Sequence, residues 1–100
     1  MYGLLERDLV NIRFAIGQFP EIRRVILFGS RALGTNRPGS DVDIAIVGDK
    51  VTRTTVLRLS DLLNEQLPLP YVFDILDYAN IDSVSLRDHV DTCGVLLTGV

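Results

Sequence analysis

One hundred residues, 47% hydrophobic and 23% charged, describe a single globular domain spanning 1–100 and argue against disorder. Ten basic residues against thirteen acidic ones, a net charge of −3, lack the basic footprint of a duplex-binding protein, so nucleic acid is not expected as a partner. No apolar run approaches the roughly 20 residues a membrane span needs, and Met1-Tyr2-Gly3 leads into a charged amphipathic pattern unlike a signal peptide, so a cytoplasmic protein without membrane contact is expected.

From Leu4 to Phe19, apolar residues at Leu5, Leu9, Ile12, Ile16 and Phe19 recur at helical spacing, with Glu6, Arg7, Asp8, Asn11 and Arg13 off the stripe. Pro20 ends this first helix. Val25 to Phe28 is a continuous apolar run of the kind found in strands buried on both faces. Gly29 permits a sharp turn, Ser30 can cap a short helix from Arg31 to Leu33, and Gly34 closes it. Thr35 to Ser40 is turn chemistry around Pro38-Gly39, read as a surface loop free to cover a ligand. Asp41 to Val47 reads as a second strand and Thr52 to Leu67 as a second long helix, stopped by Pro68 and Pro70. Tyr71 to Tyr78 is aromatic and β-branched, hence a third strand; Ser83 to Val90 is a closing helix capped by Asp82 or Ser83; Val95 to Leu97 is a short edge strand. This order predicts an α/β or α+β fold, a small sheet with helices packed on one face and the other face available for chemistry.

The stretch Leu27 to Val47 carries that chemistry. Strand alternation puts Asp41 and Asp43 on one face, where paired carboxylates repel unless a cation lies between them. Two oxygen-rich acids suit Mg²⁺, which usually takes one or two carboxylates together with substrate phosphates. The Gly29-Ser30 turn, between a strand and a short helix, places backbone N–H groups where an anion could dock. Arg23, Arg24, Arg31 and Arg37 cluster around it in sequence; Arg31 and Arg37 are the stronger phosphate candidates, while Arg23 and Arg24 equally suit a solvated strand start. Asp74 belongs to the alternation set of Val72 and Leu76, and if it faces as Asp41 and Asp43 do, three acids converge; its apolar neighbours argue that it is not casually exposed. Asp77 belongs to the opposite set and fits a solvated strand end. The lone Cys93 reads as a packing residue, and the lone His89 as a surface or partner-facing one.

Gly-Ser, ten residues, then Asp-x-Asp, with a further aspartate in a later strand, resembles the DNA polymerase beta-like nucleotidyltransferase superfamily and, at this length, its minimal nucleotidyltransferase branch. The resemblance covers LFGSRALG, RPGSDVDIAIVG, YVFDILDY and LRDHVDTCGVLL, and lacks the acceptor-binding domain of larger members. It implies a polymerase beta-like fold, catalysis and metal binding by Asp41, Asp43 and Asp74, two Mg²⁺ ions, ATP or another NTP as substrate, and nucleotide-phosphate contacts from Gly29, Ser30, Arg31, Arg37 and Ser40. It further implies transfer of a nucleoside monophosphate, AMP from ATP, to a hydroxyl on a separately encoded helical, HEPN-like partner, as the antitoxin of a toxin–antitoxin pair. Homo- or hetero-oligomers both remain open. Transfer to a small molecule of aminoglycoside type, or inhibition of the partner by contact alone, are the alternative expectations.

Overall fold

Residues 1–98 are described by a computed structural model. Helix α1 (Glu6–Gly17) leads into β1 (Arg24–Phe28), the short α2 (Gly29–Leu33), β2 (Val42–Val47), α3 (Arg53–Asp61), β3 (Phe73–Asp77), α4 (Val84–Cys93) and β4 (Val95–Thr98). The four strands form one mixed sheet in the order β3-β2-β1-β4; β1 runs antiparallel to β2 and β4, whereas β2 and β3 are parallel. A parallel pair needs a long crossover, and α3 supplies it. One π-type turn, Leu62–Gln66, extends α3, so the predicted second helix is a single body with a change of pitch near its end. No helix is long and apolar enough to cross a membrane among the described residues.

Strand alternation explains the layers. Val25 and Leu27 of β1, Val42, Ile44 and Ile46 of β2, and Phe73 and Ile75 of β3 pack with Leu9, Ile12, Ile16, Leu59 and Leu63 of α1 and α3 in the larger core. The α1 stripe holds at Leu9, Ile12, Ile16 and Phe19 and departs at its start: Leu4 is buried in place of Leu5, which is exposed, and Asp8, expected on the solvated side, is only 2% exposed. Its carboxylate accepts a 2.6 Å hydrogen bond from the Tyr71 hydroxyl.

The two long helices share one face as expected, but α4 lies on the other. There Phe28, Ala45 and Val90 form a second, smaller core against Ile26, Leu76 and Leu86. The continuous apolar runs demand this, because Ile26, Phe28 and Ala45 point away from α1 and α3 and need cover of their own. Only the start of β2 and β3, with Asp43 and Asp74, extends beyond the apolar part of this second layer.

Candidate active site

The sheet register assembles the site. Phe28 pairs with Asp43 across β1 and β2, and Asp43 pairs with Asp74 across β2 and β3. The two carboxylates therefore start from neighbouring strands on the face away from α1 and α3, as the alternation of β3 requires. Asp41 precedes the first residue of β2 and is exposed. Asp43 is half-buried, and its carboxyl is held above the usual carboxylate range, first by burial and then by the negative charge of Asp74 and of Asp41; Arg31 and His89 offset part of this. Asp74 and Asp41 thus both act on Asp43 through space.

Asp74 departs from expectation in being exposed, because β3 is an edge strand and α4 does not reach its first residues. Asp77 lies on the opposite face and caps the turn after β3, accepting hydrogen bonds from the Ala79 N–H and the Asn80 side chain. Of the two, only Asp74 shares a face with Asp43.

The Gly29-Ser30 turn abuts these acids. Gly29 has φ +74°, and a Cβ placed on it would stand 2.2 Å from Asp43 Oδ2, so the carboxylate occupies the space a side chain would need. Helix α2 starts at Gly29, with Phe28 at the capping position and no side-chain cap, so Ser30 is not the helix cap expected. Its carbonyl takes bonds from the N–H and hydroxyl of Thr35, while its hydroxyl meets no hydrogen-bond partner among the described residues. That hydroxyl faces no internal competitor for a ligand.

The arginines divide. Arg31 is 3% exposed; its guanidinium donates to the carbonyls of Tyr2 at 3.1 Å and Ser40 at 2.8 Å and lies over the Tyr71 ring. Expected at the phosphate, it ties the chain start and the 35–40 loop to α2 through Nη1 and Nη2, while its Nε is buried with no partner among the described residues. Arg31→Ala should strand both carbonyls and cost about 2–4 kcal/mol, read as a lower urea midpoint at unchanged slope. Arg37 is exposed, with its main chain bonded to Ser40 in both directions: its N–H donates to Ser40 Oγ, and its carbonyl accepts from the Ser40 N–H. The Ser40 hydroxyl is therefore engaged in the loop, which is anchored at both ends while its Pro38-Gly39 tip stays exposed. Arg24 pairs with Val47 at the far end of β1, and Arg23 lies 3.9 Å from Asp49 in an exposed pair, so neither reaches the turn.

Two contributors escape a sequence reading. His89 accepts a hydrogen bond from the Gly29 N–H. Asn64, in the π-type turn, pairs its side-chain amide with the N–H and carbonyl of Phe73, at 2.8 and 3.1 Å, and so braces the edge strand one residue before Asp74. Asn64 opens the polar run Asn64-Glu65-Gln66, so nothing in the sequence singles it out.

Among the described residues no three His, Cys, Asp or Glu side chains stand close enough to enclose a metal ion unaided. The donor chemistry nonetheless fits Mg²⁺: hard carboxylate oxygens, with a repulsion at Asp43 that Arg31 and His89 offset only in part, forming a partial shell of the sort that substrate phosphates complete. Asp41, Asp43 and Asp74 are the residues that could hold it.

Solved structures similar to this chain include a toxin–antitoxin complex with AMP-PNP, 27% identical, with TM-score 0.75 over 96% of this chain and 75% of that one. The MntA–HepT toxin–antitoxin structure is 22% identical, with TM-score 0.71 over 96% and 74%. A tri-AMPylated Shewanella oneidensis HEPN toxin in complex with MNT antitoxin is 23% identical, with TM-score 0.66 over 93% and 73%. Among curated proteins none matches. Residues 11–99 match the family described as Polymerase beta, Nucleotidyltransferase, and with nearly the whole sequence covered, the chain belongs to that nucleotidyltransferase family.

Proposed function

We propose that this nucleotidyltransferase transfers a nucleoside monophosphate, AMP from ATP, to a hydroxyl on a separately encoded helical HEPN-like partner, as the antitoxin of a toxin–antitoxin pair. The observation that carries the reading is the pairing of Asp43 with Asp74 directly against the Gly29-Ser30 turn. The likeness to a toxin–antitoxin complex holding AMP-PNP supports both the nucleotide and the kind of partner.

In this reading the Ser30 hydroxyl grips the triphosphate beside a turn whose Gly29 N–H is held by His89, and Arg31 fixes the loop that delivers Asp41. Mg²⁺ held by Asp41, Asp43 and Asp74 would neutralise phosphate charge and lower the pKa of the acceptor hydroxyl. That hydroxyl oxygen bonds to the α-phosphorus as pyrophosphate leaves. The fixed carboxylates contribute by position and charge, with no covalent intermediate on the protein.

The acids stand on an open surface. A cleft of about 440 Å³ is lined by Arg53, Ile75, Asp77, Ile81 and Leu86, at the end of β3 away from Asp74. A partner that brings the acceptor hydroxyl to the open carboxylates supplies the missing wall. The test is the intact mass of the helical partner after incubation with this protein, Mg²⁺ and each NTP in turn. A gain of one or more nucleoside monophosphates with ATP is expected, absent with Asp43→Asn. A stable complex without any mass gain would reject the transfer and favour inhibition by contact.

A further inference from the structure

We infer that His89 is a positioning residue for the phosphate-binding turn, an inference that rests on the nucleotidyltransferase reading above. The Gly29 N–H donates to His89 Nε2 at 3.0 Å, joining residues sixty positions apart. To accept, Nε2 must keep its lone pair, which puts the ring proton on Nδ1. The ring is fixed in place: it meets Phe28 edge-on, with centroids 6.1 Å apart and planes at 77°, while the next residue, Val90, is 1% exposed and packed with Phe28 and Ala45.

The turn needs such a hold. The first N–H groups of a helix have no intrahelical acceptor, and here Phe28 occupies the capping position with nothing to offer. Gly29 also sits at φ +74°, and a glycine released there populates both signs of φ about equally. His89 supplies the missing cap from a distant helix and so fixes the peptide that aims Ser30. It does this without touching the Ser30 hydroxyl, which stays available to a phosphate oxygen. The closing helix is thereby part of the site and not only a lid on the second core.

His89→Leu keeps most of the volume and removes the acceptor; His89→Gln restores an acceptor on a chain of similar reach. In the full-length protein, exchange of the Gly29 amide with deuterium should accelerate about five- to tenfold in His89→Leu, the share of one net hydrogen bond, and return most of the way in His89→Gln. AMP-PNP with Mg²⁺ should bind the Leu variant about tenfold more weakly, with kcat for transfer falling less than KM rises. A purely packing role would instead leave Leu equal to wild type and Gln the poorer of the two. Unchanged Gly29 exchange in His89→Leu overturns the inference, as does tighter AMP-PNP binding, which would make His89 a block on the turn. If the wild-type protein binds no nucleotide, the functional reading and the purpose given to His89 fall together. The Gly29 exchange data would still report whether the bond exists.

Discussion

Asp43→Asn is expected to abolish nucleotide transfer, by about 10³-fold or more, and at the same time to raise the melting temperature. The catalytic half follows from position: Asp43 stands between Asp74 on the neighbouring strand and the Gly29-Ser30 turn, so any cation bridging the acids and the triphosphate loses its central ligand. The stability half follows from proton linkage. The folded-state pKa of Asp43 is raised above its ordinary value of 3.8 by burial and by Asp74 and Asp41. Below pH 3.8 the group is protonated in both states and costs nothing. Between 3.8 and the raised value the folded state binds the extra proton, so stability falls as pH rises, and above that value the penalty is fully present. Asn removes it. Because the group is half-buried and screened, the gain at neutral pH is about 0.5–1 kcal/mol, or roughly 2–8 °C for a domain of this size. Differential scanning calorimetry at pH 3 and pH 7 checks this: the variant should gain at pH 7 and match wild type at pH 3. Mg²⁺ with AMP-PNP should stabilise wild type and leave the variant where it is. A variant less stable than wild type at pH 7 would show that the acids do not strain the fold.

How far the sequence could be read differs between strands and turns. Register was legible at β2 because Asp41, Asp43 and the apolar Val42, Ile44 and Ile46 alternate, and a one-residue slip would bury the acids. For Asp74 alternation gave only a set, with Val72 and Leu76, and left open which set faces Asp43; the burial of Phe73 and Ile75 decides it. The exposure of Asp74 was not legible, because alternation gives a face but not the position of a strand in the sheet. Arg31 shows a second limit. Its place after Gly-Ser suited a phosphate ligand, yet the carbonyls of Tyr2 and Ser40 that hold it come from separate segments whose approach only the tertiary structure reveals. The same holds for His89, whose partner is sixty positions away and is a main-chain N–H without a side-chain signature. The second core was legible in principle: Val25 to Phe28 is apolar at every position, which already implied cover on both faces.

Gly29→Ala should damage both the fold and the chemistry. Two penalties combine at this position. Its φ of +74° costs a side-chain-bearing residue about 1–2 kcal/mol, and the added Cβ would lie 2.2 Å from Asp43 Oδ2 and 3.1 Å from its Cγ, so the carboxylate must turn away or the turn must open. The sum is about 2–4 kcal/mol, a fall of roughly 8–30 °C in melting temperature, and a displaced Asp43 costs about 10²-fold in rate. Gly34→Ala separates the two effects, because Gly34 has nearly the same backbone angle, φ +77°, but nothing within 4 Å of where its Cβ would be. That variant should lose about 1–2 kcal/mol while its transfer rate, measured below its melting temperature, stays near wild type. Equal rate losses in the two variants would mean that the glycine serves the backbone of α2 alone. A rate loss confined to Gly29→Ala, together with a stability loss that shrinks when Gly29→Ala is placed in an Asp43→Gly background, would show that the turn and the carboxylate are built to occupy one shared space.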